Sequence, residues 1–167
     1  MVGALVITVL AILAFVVLRD LNTTQPDIKP TPVDYRAGIR YLQRSGDTLV
    51  YPSRLPKGWI VTHVDTAPGK RPGLGLSMLT ADGQYVGLQQ SPQSLPELLT
   101  MYVDPSPTSG PRVHLPSGFV THWATWTDAG GDTALAGRWH HESLLVFGSA
   151  SRADLETVAK ALTTNKL

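Results

Sequence analysis

Five histidines, His63, His114, His122, His140 and His141, the last two followed by Glu142, are the side chains of this chain best suited to ligate a metal or move a proton. Their spacing supports neither role. A zinc-protease site needs two histidines four apart on one helix face with a glutamate between them, and His141-Glu142 runs on into Ser143-Leu144-Leu145 without a second ligand. Adjacent residues on a strand face opposite sides, so His140 and His141 could not easily share an ion there. The serines are no better placed: no Gly-x-Ser-x-Gly elbow and no Ser-x-x-Lys occurs, and Gly75-Leu76-Ser77-Met78-Leu79 lacks the second glycine. Gly69-Lys70-Arg71 resembles the end of a phosphate loop, but no glycine stands five residues before it and no hydroxyl follows the basic pair. The chain has no cysteine, which removes disulfides, thiolate catalysis and sulfur-ligated zinc. No catalytic residue, metal or cofactor is therefore expected.

The four tryptophans, Trp59, Trp123, Trp126 and Trp139, all fall in predicted strands, three of them in one hairpin. If Trp126 pairs with Thr133, then Val120, Ala124, Trp126, Leu135 and Trp139 share an apolar face while Thr121, Thr125 and Arg138 point outward. On that register Trp126, Trp139 and Leu135 pack in the core or, in a second reading, line a pocket under a curved sheet. Trp123 then lies on the outer face near Arg138, where a guanidinium over the indole would leave an amphipathic surface patch. That pair is the expected binding site.

The elements that position these residues follow from period and punctuation. Asp34 can cap a helix over Tyr35 to Arg44. Strands are predicted over Thr48 to Tyr51, Trp59 to Thr66, Leu74 to Thr80 and Gln84 to Gln90, the last two joined through Asp82-Gly83, a strong hairpin signal. Ser94-Leu95-Pro96-Glu97 is a capping box opening a helix over 95 to 103. Asp104 to Pro111 must be a loop. Val113 to Leu115, Gly118 to Thr127, Thr133 to Trp139 and Leu144 to Gly148 read as further strands, and Ser151 caps a closing helix carrying Leu155, Val158, Ala159 and Leu162. Runs of strands joined by hairpins predict an α+β domain, an antiparallel sheet packed against two or three helices.

The first eighteen residues, Met1 to Leu18, carry no ionisable side chain. As a helix they would span about 27 Å, close to the roughly 30 Å of a bilayer's hydrocarbon core, and the segment lacks the basic start and small-residue cleavage site of a signal peptide. A retained transmembrane anchor over 1–20 is expected, then a stalk over 21–33, rich in proline and threonine, and one domain over 34–167. Arg19, Lys29 and Arg36 all follow the apolar run, which by the positive-inside rule alone would leave the domain in the cytoplasm. A net charge of +1 with 16% charged residues lacks the footprint of a nucleic-acid binder.

The stalk, Val33-Asp34-Tyr35, the run from Tyr51 to Trp59 (YPSRLPKGW), Gly83-Gln84-Tyr85-Val86, the Trp123 to Trp126 hairpin and Gly148-Ser149-Ala150 together resemble a bacterial family of single-pass membrane proteins, the domain of unknown function 4245. The resemblance spans nearly the whole chain and implies an N-terminal anchor with the folded domain outside the cytoplasm. It carries no activity and no catalytic residues. The expectation is a non-enzymatic, membrane-anchored envelope module that binds a protein or envelope component, with a small-ligand or lipid-binding domain as the alternative.

Overall fold

The computed structural model describes residues 30–67, 73–116 and 118–167. The expected anchor over 1–20, and the stalk up to residue 29, lie outside the described residues. No helix among those described is long and apolar enough to cross a membrane. Thr31 to Leu167 form one compact unit containing both hydrophobic cores.

Among the described residues the architecture is α+β, with an antiparallel sheet and three helices. Helix α1 (Tyr35–Arg44) is capped by the Asp34 carboxylate, which accepts from the Arg36 amide at 3.1 Å. Strands β1 (Tyr51–Pro52), β2 (Ile60–Ala67), β3 (Gly73–Leu79) and β4 (Tyr85–Ser91) follow, then α2 (Leu95–Tyr102). After α2 come β5 (Thr108–Ser109), β6 (Val113–His114), β7 (His122–Thr127), β8 (Thr133–Trp139), β9 (Glu142–Gly148), α3 (Arg152–Ala161) and β10 (Leu162–Thr163). The Glu97 carboxylate accepts from both the amide and the hydroxyl of Ser94 at 2.8 Å, and these hydrogen bonds hold it below the usual carboxylate range.

The main sheet runs β2-β3-β4-β9-β8-β7-β5, with β6 continuing the edge beside β7. Two meanders, β2-β3-β4 and β7-β8-β9, therefore meet where β4 pairs with β9. The small β1–β10 ladder ties the segment after α1 to the segment after α3. Alternation sorts the side chains into two layers. One face, with Leu76, Met78, Leu88, Leu135, Leu144 and Val146, packs under α1 and α3. The other, with Ala134, Ala136 and Leu145, packs under α2 through Leu98 and Leu99. Because both faces are covered at the centre, β8 and β9 read as near-continuous buried runs.

Two close approaches depend on glycine. Phe147 lies across its partner Gly87, where an added Cβ would come within 2.5 Å of the ring, and Trp123 lies beside Gly137, where a Cβ would fall 3.1 Å from the indole. In each pair a missing side chain makes room for an aromatic ring on a neighbouring strand. Trp123 is completely buried and donates its indole N–H to the Val120 carbonyl at 2.8 Å.

A buried polar hub anchors the segment before β1. The Gln90 side chain, 1% exposed, accepts from the Val50 amide at 2.6 Å, donates to the Thr48 carbonyl at 3.2 Å and donates to the Glu142 carboxylate. The expected strand over Thr48 to Tyr51 thus contracts to Tyr51–Pro52, because Thr48 and Val50 hydrogen-bond a side chain rather than a neighbouring strand.

Two outcomes are expected from chemical denaturation of Thr31–Leu167. Trp123→Ala should lower stability by about 3–5 kcal/mol through the cavity it leaves. Gln90→Leu should cost about 1–3 kcal/mol by orphaning the buried Val50 amide.

Candidate functional site

The β7–β8 hairpin takes a register different from the expected one. Thr127 pairs with Thr133 and Trp126 with Ala134, so each residue of β8 faces opposite to the side that a Trp126–Thr133 pairing would give it. The cause is the turn. The Asp128 amide donates to the Asp132 carbonyl at 3.1 Å, the Asp132 amide returns to the Asp128 carboxylate at 2.8 Å, and Gly131 takes a φ of +94°. This closure leaves Asp128–Asp132 as the loop and makes Thr127 and Thr133 the first strand pair.

The expected site residues are redistributed accordingly. Trp123 is a core residue rather than an outward one, sharing the α1/α3 face with Leu135, and Arg138 belongs to the opposite face, exposed. The stacked Trp123–Arg138 patch therefore does not form. Trp126 and Trp139 also lie on opposite faces, and Leu135 is fully buried, so Trp126, Trp139 and Leu135 do not line one pocket. Trp126 instead borders a groove of about 290 Å³ with Leu95, Leu99, Pro105 and Pro107, and its buried indole N–H has no partner among the described residues.

A larger cleft, about 640 Å³, opens where β7 begins and β8 ends, with both Trp123 and Arg138 on its border. Its open side is built by Arg112, Phe119, His122, Arg138, Trp139 and His140. Each is placed by a local feature of the chain. Arg112 sits in the break between β5 and β6, where the Gly110 amide donates to the Thr125 carbonyl at 2.8 Å and the Thr125 hydroxyl donates to the Pro111 carbonyl at 2.7 Å. Trp139 packs against Phe119 at 5.5 Å between ring centroids and meets His140 edge-on at 4.5 Å. His140 opens the tight β8–β9 turn with a φ of +53°, a left-handed conformation uncommon outside glycine that histidine adopts more readily than most residues. Strain of this kind costs of order 1–3 kcal/mol and concentrates at functional positions. On the neighbouring strand pair His114 and His122 are opposed, their rings 4.8 Å apart, and the Thr121 hydroxyl lies 3.0 Å from His122 Nδ1.

The lining combines two guanidinium groups and two imidazoles with three aromatic side chains, Phe119, Trp123 and Trp139, and no lining residue is acidic. The described ion pairs lie elsewhere, at Arg40–Asp34, Arg152–Glu156 and Lys160–Glu156, and Glu142, near the cleft in sequence, is taken up by Gln90. Arg112 and Arg138 thus stand without a carboxylate partner among the described residues. Such a cleft can hold an anionic group against a flat apolar surface. Among the described residues no three histidine or acidic side chains converge to hold a metal.

Arg112, Phe119, His122 and His140 were not singled out by the sequence as a group. Their association depends on the β6–β7 pairing and on a histidine turn without the glycine or asparagine that usually marks one.

No curated protein and no solved structure matches this chain. A profile of the family described as "Protein of unknown function (DUF4245)" matches residues 1–162, nearly the entire sequence, and the chain belongs to that family.

Proposed function

We propose that this chain is a non-enzymatic binding module of the bacterial envelope, held to the membrane by residues 1–18 with its domain outside the cytoplasm. Its cleft around Trp139 captures an envelope component that presents carboxylate or phosphate groups. The observation that carries the reading is the lining of that cleft: Arg112, Arg138, His122 and His140 around Trp139 and Phe119, with no acidic residue. Cationic groups left unpaired beside a solvent-facing aromatic surface favour an anionic partner, and Arg and Trp are the residue types that most often dominate binding energy. The apolar opening segment, free of charge for eighteen residues, supports the anchor.

The test uses the full chain in cells, with a photoreactive residue replacing His140 and a control at Asp82, in the β3–β4 turn. Discrete adducts at position 140, absent at 82 and reduced about tenfold by Arg112→Gln/Arg138→Gln, are expected. Equal labelling at both positions, or adducts indifferent to the arginine changes, would contradict the assignment. In the same cells the full chain should resist alkaline carbonate extraction and dissolve in detergent; release by carbonate would remove the anchor.

A further inference from the structure

Helix α1 lies at the sheet edge far from the cleft, packed on β2. Tyr35, Ile39 and Leu42 point into the core. Arg36, Arg40 and Arg44 recur every four residues, so at about 100° per residue they and Tyr41 occupy roughly 140° of the outward arc. All three arginines are exposed, Tyr41 is 70% exposed, and α1 contains no acidic residue. The nearest carboxylates in sequence flank the helix at Asp34 and Asp47. Asp34 reaches Arg40 only at 3.8 Å, with both side chains largely in water, a contact that holds the guanidinium weakly. Arg36 is turned toward the Ser53 carbonyl at 2.6 Å. Among the described residues Arg44 forms no ion pair and Arg40 only this weak one, so these two heads remain available.

We infer that this arc of α1 rests on an anionic lipid surface, making it the face that the domain turns toward the bilayer. The inference rests on the anchored reading above. Two observations select lipid over other acidic partners. The first is covalent: sixteen residues separate Leu18 from Tyr35, so the chain between them reaches at most about 60 Å. An anchored domain therefore keeps α1 within about 60 Å of the bilayer, at a raised effective concentration that helps weak contacts form. The second is composition: arginine beside an outward tyrosine suits the headgroup layer, where the guanidinium meets phosphate and the phenol ring takes the interfacial level. Lipid contact on this arc would leave the cleft, at the far edge of the sheet, free for its partner.

The test uses Thr31–Leu167, a compact unit with its own cores, and vesicles of phosphatidylcholine alone or mixed equally with phosphatidylglycerol. Sedimentation at low salt should show binding to the anionic vesicles and not to the neutral ones. Arg40→Gln/Arg44→Gln should weaken it about 25-fold, roughly fivefold for each arginine, with an unchanged melting temperature as the fold control. High salt should abolish binding. No preference for anionic vesicles would overturn the inference, as would undiminished binding by the α1 variant. So would loss of binding on Arg112→Gln/Arg138→Gln but not on the α1 variant, because the cleft would then be the lipid contact. Failure of the anchor itself would appear separately, as carbonate release of the full chain.

Discussion

The five-pair ladder between β4 and β9, from Gly87–Phe147 to Ser91–Ser143, is the hydrogen-bonded junction of two three-stranded meanders within the main sheet. How the two meanders sit against each other follows from its register. It puts Gln90 level with Leu144, on the face where Gln90 meets Thr48 and Val50. It puts Leu145 on the other face, under α2. A slip of one residue would exchange Leu144 and Val146 with Leu145 and Phe147 between the two layers and take the Phe147 ring off Gly87, where the missing side chain makes room for it, so the register is pinned by this fit. The same junction fixes the distance between the outer strands. Five strand spacings separate β2 from β7, about 24 Å.

Much of this arrangement was legible in the sequence because local chemistry and tertiary packing agree. Asp34, Ser94 and Ser151 start the three helices where a capping side chain is expected, and the helix over Tyr35 to Arg44 has the bounds that its period predicts. Asp82-Gly83 turns β3 into β4, with Gly83 at a φ of +77°. The hairpins made an antiparallel sheet the expected answer. What escaped was the coupling of strands far apart in the chain. Nothing in the local pattern says that β4 pairs with β9 rather than with a nearer strand. The loop from Asp128 to Asp132 admits two pairings that differ by one residue, and only the Asp128–Asp132 hydrogen bonds decide between them. That single residue moved Trp123 from the expected surface into the core and separated Trp126 from Trp139. The candidate site was accordingly less legible than the fold: the sequence assigns Arg138 to a patch with Trp123 and Trp139 to a pocket with Trp126 and Leu135, whereas the aromatic and cationic residues of the cleft come from three separate segments.

The arrangement gives the domain two cationic surfaces of different character. Along α1 the charges are on flexible stems over a convex helix, suited to a broad surface of diffuse negative charge. At the start of β7 and the end of β8 they line a concave site together with aromatic rings and a histidine in the left-handed region, suited to a defined group. Tyr35 helps hold the first surface to the sheet, donating its hydroxyl to the Pro52 carbonyl at 2.9 Å, and Trp123 supports the second from within the core. Because the two surfaces sit at opposite edges of a sheet covered on both sides, contact at one leaves the other open. A tethered module needs that separation if it is to engage a partner while it rests on the bilayer.

The separation can be measured on the full chain in anionic bilayers by spin-label accessibility, and a sequence without cysteine allows single labels through Tyr41→Cys and His140→Cys. The label at position 41 should be shielded from a water-soluble relaxant and the label at position 140 freely reached by it. A shielded label at 140 with an open one at 41 would contradict the assignment of the two edges.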